Sequence, residues 1–192
     1  MDKKEIITFF DQRAGHWDDE LIRNDSVIGR ILEGAGVRPG LRVLDVACGT
    51  GVLFPDYLER GVTDLTAIDI SSEMVKIARE KFPQVKVICG DVEETAFEKP
   101  FDLIMIYNAF PHFPQPERLI ARLSELLTPG GRLCVAHGMS RDAIEAHHAG
   151  CAKHVSLGLP EAEKLAEMFA PYFQVDVVLS DEKMYQVSGT VK

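Results

Sequence analysis

Short apolar runs alternate with amphipathic stretches along most of the chain. Five apolar runs predict buried strands, at residues 43–46, 65–70, 85–89, 101–108 and 132–137. Apolar residues at helical spacing predict helices at residues 52–60, 116–127 and 161–170. A closing antiparallel hairpin is predicted at residues 173–179 and 183–191. Strands that alternate with helices indicate a parallel sheet with helices on both of its faces.

Apolar spacing and cap residues together indicate three further helices. Residues 2–13 carry apolar side chains at helical spacing, and a second helix is predicted at residues 24–33 with Asn24 or Asp25 as its cap. Ser71 is the expected cap of the helix that follows the second strand. Two helices therefore precede the first strand and are available to cover one edge of the sheet.

The first strand ends in a turn of small residues, Ala-Cys-Gly-Thr-Gly at positions 47–51, and a helical pattern follows. Glycine suits this turn because it lacks a Cβ, so the backbone turns tightly and a ligand comes close. A dinucleotide-binding loop requires G-x-G-x-x-G, in which the third glycine packs helix against strand. Phe54 occupies that third position here. The loop therefore fits a ligand that needs close backbone approach but brings no phosphates.

Length and composition narrow the class of protein. The 192 residues indicate one domain, and the net charge of −9 without a basic stripe argues against nucleic-acid binding. No apolar run approaches the roughly 20 residues of a membrane span, and the N-terminus lacks the pattern of a signal peptide. None of the 4 cysteines forms a C-x-x-C pair, and reduced thiols are typical of a cytoplasmic protein.

The glycine loop closely resembles motif I of the class I S-adenosylmethionine (SAM)-dependent methyltransferases, D/E-x-G-x-G-x-G. Asp45 fills the acidic position, Gly49 and Gly51 fill the last two glycine positions, and Ala47 replaces the first glycine. The resemblance implies SAM as cofactor and S-adenosylhomocysteine (SAH) as product. It also implies a Rossmann-like, mostly parallel sheet of seven strands in the order 3-2-1-4-5-7-6.

Two more stretches resemble this family. Phe10, Ala14, Trp17 and Asp18 match the F-x-x-x-A-x-x-W-D pattern of its N-terminal helical cover, and residues 128–131 resemble the L-x-P-G-G turn before its fifth strand. The cover is either a lid over the cofactor or a helix pair that packs on the sheet.

The family pattern also assigns roles at the ends of the second and third strands. Asp69 lies 18 positions after Gly51, close to the spacing of a ribose-binding carboxylate. The resemblance implies that Asp91 accepts a hydrogen bond from the adenine amine. It also implies that Ile70 and Met74 pack on the adenine ring. The alternatives are that both aspartates are ordinary turn residues and that Met74 packs in the core. The full set of expected cofactor ligands is Trp17, Asp45, Ala47, Cys48, Gly49, Gly51, Asp69, Ile70, Met74, Asp91, Val92 and Asn108.

Methyl transfer from a sulfonium is an in-line displacement, so the enzyme must align the nucleophile, the methyl carbon and sulfur. A nucleophile that loses a proton also needs a base. The candidate catalytic residues are His137, His112 and Tyr107, and the candidate substrate ligands are Phe110, Arg141 and His147. Arg141 suits a substrate carboxylate, although an ordinary surface arginine is the alternative.

Histidines cluster after the fifth strand and suggest a second hypothesis. On one helix, His147, Cys151 and His154 would share a face, at a spacing that suits zinc or a soft substrate. The alternative is a solvated helix with incidental histidines, and Gly150 weakens the helix prediction.

The sequence thus predicts a single domain, residues 1–192, with an N-terminal helical cover at 1–36 and an insertion at 138–160 near the active site. Its predicted function is SAM-dependent methyl transfer to a small-molecule acceptor. The rival hypotheses are a SAM-binding regulatory protein without catalysis and a metal- or metalloid-handling protein that uses residues 137–154.

Overall fold

The computed structural model describes residues 2–192, apart from the side chains at positions 148, 149 and 151. In these residues the strands are β1 (Arg42–Val46), β2 (Asp64–Asp69), β3 (Lys86–Cys89), β4 (Phe101–Tyr107), β5 (Leu127–His137), β6 (Phe173–Ser180) and β7 (Tyr185–Val191). They form a 7-stranded sheet with the order β3-β2-β1-β4-β5-β7-β6. β7 is antiparallel to both of its neighbours, whereas the other pairs are parallel. The predicted α/β class and strand order are confirmed.

Helices cover both faces of the sheet. The α-helices are α1 (Lys3–Arg13), α2 (Asp25–Gly34), α3 (Phe54–Glu59), α4 (Ser72–Lys81), α5 (Pro116–Glu125), α6 (Arg141–Cys151) and α7 (Ala162–Phe169). Side chains of α2, α3 and α4, such as Ile28 and Tyr57, join one apolar cluster, and those of α5 and α7, such as Leu123 and Phe169, join the other. Within residues 2–192, no helix combines the length and the apolar character needed to cross a membrane.

Short polar side chains begin the helices near the site. Asn24 Oδ1 accepts the N–H of Val27 at 3.2 Å, and Ser71 Oγ accepts the N–H of Met74 at 3.2 Å. Each bond satisfies one of the backbone donors that a helix leaves open in its first turn. Asn24 is therefore the cap of α2, and Ser71 is the cap of α4.

β5 differs from its prediction because it starts earlier, at Leu127. The predicted turn at residues 128–131 lies inside this strand, which pairs Leu127 with Phe101 and then shifts register before Leu103. Gly130 has φ of 75°, a conformation that favours glycine. The turn signal thus marks an irregularity within the strand rather than its beginning.

The helix α6 ends at Cys151, and a separate 3-10 turn, Lys153–Val155, follows. His154 therefore does not share a continuous helix face with His147. The ring of His154 instead packs edge-on against Phe9 of α1, with ring centroids 5.4 Å apart. The side chain of Cys151, on which the metal hypothesis also depends, lies outside the described residues.

The predicted N-terminal cover consists of two parts with different environments. α2 belongs to the main core, since Val27, Ile28 and Ile31 are buried there. α1 forms a smaller cluster in which Ile6 and Phe9 contact the segment after α6. α1 is therefore the part that lies over the strand ends.

Candidate cofactor and acceptor site

A cavity opens at the carboxyl ends of β1, β2, β3 and β4, with α1 along one side. This edge includes the position between β1 and β4 where the strand order reverses, which is where open α/β sheets bind ligands. Ten of the residues predicted to bind the cofactor line it: Trp17, Ala47, Cys48, Gly49, Asp69, Ile70, Met74, Asp91, Val92 and Asn108. Segments far apart in the sequence therefore surround one space.

The loop after β1 has a left-handed backbone at three positions. The φ angles are 55° at Ala47, 54° at Gly49 and 89° at Gly51. This conformation costs a residue with a side chain roughly 1–2 kcal/mol, so Ala47 adopts a shape for which the first glycine of the family motif is better suited. A Cβ on Gly51 would lie 2.7 Å from the ring of Phe54. Gly51 is therefore required by the packing of α3 and does not line the cavity.

Asp69 ends β2 with both carboxylate oxygens held by the backbone. Oδ2 accepts the N–H of Gly49 and Oδ1 accepts the N–H of Ser71, each at 2.8 Å. Burial raises the pKa of the Asp69 carboxyl, while these two N–H groups act to lower it. A carboxylate offers about four acceptor positions, so Asp69 retains capacity for two ribose hydroxyls.

Asp45 and Cys48 lie at different depths. Asp45 is only 2% exposed and is not a lining residue, and burial together with the charge of Asp69 raises its pKa well above the ordinary value. Cys48 lines the cavity, and burial raises the pKa of its thiol. The thiol is therefore neutral near pH 7 and acts as a small apolar wall. Asp45 is therefore not placed against the cavity, and its role as a cofactor ligand stays a prediction.

Asp91 follows β3 at the far end of the cavity from β4. Its Oδ1 accepts the N–H of Glu93 at 2.9 Å, and its Oδ2 accepts a hydrogen bond from Lys3 Nζ of α1. Ile70 and Met74 line the same end. This end therefore combines apolar side chains with a carboxylate, as an adenine ring with an exocyclic amine requires.

Two aspartates attach the N-terminal segment to the loops below it. Asp11 Oδ1 accepts the hydroxyl of Ser71 at 2.6 Å and the N–H of Glu73 at 3.2 Å. Asp18 Oδ1 accepts the hydroxyl of Thr50 at 2.5 Å. α1 and the turn after it are therefore joined by hydrogen bonds to the ends of β1 and β2.

The acceptor end of the cavity is formed after β4. His112 belongs to a 3-10 turn, Phe110–His112, and its Nδ1 lies 2.7 Å from the carbonyl oxygen of Val155. A carbonyl only accepts, so Nδ1 carries a proton and donates it to Val155. The ring of Phe10 packs edge-on against His112 at 5.0 Å. Two segments distant in sequence therefore orient this imidazole beside the cavity.

Tyr107 and Asn108 support this turn. Asn108 has φ of 55°, and its Oδ1 accepts the N–H of Gly138 at 2.9 Å. Burial raises the pKa of Tyr107 to about 12. The phenol therefore remains protonated at neutral pH, which makes it a hydrogen-bonding group rather than a base.

Four predicted catalytic or substrate residues do not line the cavity. His137 is 2% exposed, and its ring packs edge-on against Tyr185 of β7 at 5.9 Å. Phe110 is buried in the core, Arg141 donates to the carbonyl of Leu159 at 2.9 Å, and His147 is exposed on α6. A direct contact between these side chains and an acceptor in the cavity has no support in this geometry.

Within the described part of the chain, no group of three or more His, Cys, Asp or Glu side chains has an arrangement suited to a metal ion. His147 and His154, as noted above, lie on separate elements. The geometry of the described residues therefore adds nothing to the metal hypothesis.

Sequence reasoning missed several residues at the site. The residues Lys3, Leu21, Glu93, Phe113 and Pro114 also line the cavity. The proline-bracketed loop after the fourth strand was a usable signal for Phe113 and Pro114. Lys3 had none, because an ordinary lysine in the first turn of an amphipathic helix has no distinctive local pattern.

Comparison with known proteins agrees with this fold. Residues 43–131 match a family described as "Methyltransferase domain". Over these residues, which are just under half of the chain, the chain is similar to methyltransferases, and SAM as cofactor agrees with that similarity. Its similarity to two curated relatives is consistent with this. A demethylmenaquinone methyltransferase of Renibacterium salmoninarum is 31% identical over 71% of this chain. A ubiquinone biosynthesis O-methyltransferase of Xanthomonas campestris is 38% identical over 58% of this chain.

The chain spans only 60% and 47% of the lengths of these two relatives.

Solved structures agree in fold. A magnesium protoporphyrin IX methyltransferase of Synechocystis with bound SAH superposes with a TM-score of 0.73 at 16% identity, with 100% of both chains covered. A methyltransferase chain from a Haloferax volcanii complex with the Trm112 activator has a TM-score of 0.76 at 18% identity, with 95% of this chain and 97% of that chain covered.

Proposed function

We propose that this chain binds SAM across the ends of β1, β2 and β3 and transfers the methyl group to a small acceptor beside His112. One observation carries the proposal: a single cavity connects Asp69 and Asp91 with Tyr107 and His112. The carboxylates suited to ribose and adenine thus line the same cavity as the polar side chains of Tyr107 and His112. We call the part of the cavity beside His112 the acceptor chamber. Proximity of this kind supplies much of the rate of a displacement reaction.

Each part of the cofactor has a matching environment. Asp69 accepts both ribose hydroxyls, Asp91 accepts the adenine amine, and Met74 packs against the ring. The left-handed loop at residues 47–51 allows close approach of the methionine portion, as the small side chains along it leave the backbone accessible.

His112 is the proposed general base. When bound, SAM supplies an electrophilic methyl carbon on sulfur. Nε2 of His112 would take the proton from the hydroxyl group of the acceptor, whose oxygen would then receive the methyl group that SAM supplies. The carbonyl of Val155, 2.7 Å from Nδ1, stabilises the imidazolium that forms.

The proposed acceptor is a flat, largely apolar ring that carries a hydroxyl group. Aromatic side chains of Phe10, Trp17 and Phe113 line the chamber, and such side chains pack well against planar rings. The names of the relatives support this class, because one refers to demethylmenaquinone and the other to O-methylation in ubiquinone biosynthesis. The cover and the insertion at 138–160 are proposed to enclose this compact chamber.

A paired assay tests the proposal. Isothermal titration measures SAH binding, and product analysis measures SAH formation from SAM with hydroxylated aromatic rings, with matched rings that lack the hydroxyl as controls. We expect binding in the micromolar range and turnover only with hydroxylated rings. Binding without turnover across the panel would favour the SAM-binding regulatory protein, and absence of binding would reject the proposal altogether.

A further inference from the structure

The first turn of α1 reaches the adenine end of the cavity. Lys3 Nζ donates to Asp91 Oδ2 and also lies 3.4 Å from Glu93 Oε2 and 3.9 Å from Glu94 Oε1. Lys3 is 88 positions from Asp91 in sequence, so the pair exists only because α1 lies over the strand ends. The cation is therefore placed among three carboxylates at the rim of the site.

Both oxygens of Asp91 already have donors in this structure. Oδ1 accepts the N–H of Glu93 and Oδ2 accepts Lys3. The side chain of Asp91 is 15% exposed, so water has little access to it. Lys3 and Asp91 both line the cavity, so an incoming amine competes with the Lys3 ammonium for the position beside Oδ2, although the carboxylate itself could accept a further donor.

We propose that Lys3 is an autoinhibitory clasp, which occupies Asp91 in the free protein and must release it before the adenine end of the cofactor is fully bound. This inference rests on the proposed function, because it concerns entry to the same site. Lys3 competes with the cofactor for one carboxylate, so the clasp slows association more than it changes dissociation.

The neighbouring carboxylates give the released lysine another partner. Glu93 is already paired with Arg118, whose Nε lies 3.1 Å from Oε1, whereas the Glu94 side chain is 73% exposed and faces solvent. A small shift of the lysine side chain thus exchanges Asp91 for Glu94 without unfolding α1. The hydrogen bonds of Asp11 to Ser71 and of Asp18 to Thr50 hold the rest of the cover in place.

The strength of the clasp suits a reversible gate. The Lys3 side chain is 38% exposed, and partly exposed ion pairs are weak and sensitive to salt. Loss of the pair corresponds to a change of about threefold to fivefold in a rate or equilibrium constant. The free protein therefore protects its adenine end without preventing cofactor entry.

Stopped-flow fluorescence tests the clasp, since Trp17 is the only tryptophan and lines the cavity. SAH is mixed with the wild type, with Lys3→Gln and with the control Lys4→Gln, whose side chain is exposed and adjacent. We expect Lys3→Gln to associate about fivefold faster, with Lys4→Gln like the wild type. Rising NaCl is expected to accelerate the wild type relative to Lys3→Gln.

Two results would overturn this inference in different ways. Slower association or weaker SAH binding by Lys3→Gln, with normal binding by the wild type, would mean that Lys3 holds the cofactor rather than competing with it. Unchanged kinetics would mean that Lys3 does not gate the site. Failure of the wild type to bind SAH at all would instead reject the proposed function, on which the clasp depends.

Discussion

The two ends of the cavity are built in different ways. At the cofactor end, the loop follows β1, Asp69 is the last residue of β2, and Asp91 follows β3. At the acceptor end, His112 depends on Val155 and Phe10, which come from the insertion and from α1. The cofactor end is thus assembled from local motifs, whereas the acceptor end is assembled from contacts between distant segments.

The two ends therefore differ in how strongly their geometry depends on segments outside the sheet. Backbone N–H groups and carboxylates at strand ends change little when surrounding segments change, since the sheet itself positions them. An imidazole oriented by a helix and a loop from elsewhere responds to every change in those segments. We therefore infer that the cofactor end is the constant part of this site and the acceptor end is the adaptable part.

The largest expected effect is a loss of SAH affinity when Asp69, at the cofactor end, is replaced. Asp69→Ala removes the acceptor of two ribose hydroxyls, and hydrogen bonds to charged groups contribute roughly 1.5–3 kcal/mol each, so SAH affinity should fall about 100-fold or more. Asp64→Ala is the matched control, because Asp64 begins the same strand and its side chain is 55% exposed. Isothermal titration with circular dichroism checks both variants. Unchanged affinity in folded Asp69→Ala would reject the ribose assignment.

A substitution at the acceptor end should lower kcat and leave cofactor affinity nearly unchanged. His112→Gln removes the proposed base, which contributes typically 10²–10⁴-fold, so kcat should fall about 100-fold while SAH affinity changes less than about threefold. His137→Gln is the comparison variant, since this buried ring packs against Tyr185, and we expect it to affect stability more than kcat. An equal loss of kcat in both variants would return His137 to the list of catalytic candidates.

A third prediction concerns the close packing of Gly138, which follows β5, against Tyr107 of β4. A Cβ on Gly138 would overlap with the hydroxyl oxygen of Tyr107. Gly138→Ala should therefore lower the free energy of unfolding by about 1–3 kcal/mol, as overpacking does. Tyr107→Phe removes the obstructing oxygen, so the double variant should recover part of the loss in urea unfolding. Purely additive losses would contradict direct contact as the cause.

The smallest expected effect is on pH dependence at the cofactor end. Burial raises the pKa of Asp69, so its carboxyl becomes protonated at a higher pH than an ordinary aspartate and then loses acceptor capacity. SAH affinity should therefore decrease as the pH falls toward the raised pKa of Asp69, and this decrease should begin at a higher pH than for an ordinary aspartate, with the change limited to tenfold per pH unit. Asp69→Asn carries no ionisable group and serves as the control. A parallel decrease in Asp69→Asn would assign the effect to another residue.

The accuracy of the sequence predictions follows the same division. The α/β class was predicted because the alternation of strands and helices is a pattern that local sequence carries, whereas the order of the seven strands was implied by the resemblance to the SAM-dependent methyltransferases. The start of β5 was missed because Leu127 pairs with Phe101 through an irregularity that turn residues conceal. His137 was expected at the cavity because its strand ends at the right edge, but the direction of a side chain depends on the register with Tyr185.

Local sequence by itself determined the strand–loop–helix unit at residues 43–59, the acidic residues at the ends of β2 and β3, and the capping of α4. These features depend on interactions between residues close in the chain, so their patterns are readable without a structure. Tertiary structure alone decided that Lys3 pairs with Asp91, that Asp11 accepts the hydroxyl of Ser71 and that Val155 orients His112. Those partners are 88, 60 and 43 positions apart, and only the packing of α1 and of the insertion against the sheet brings them together.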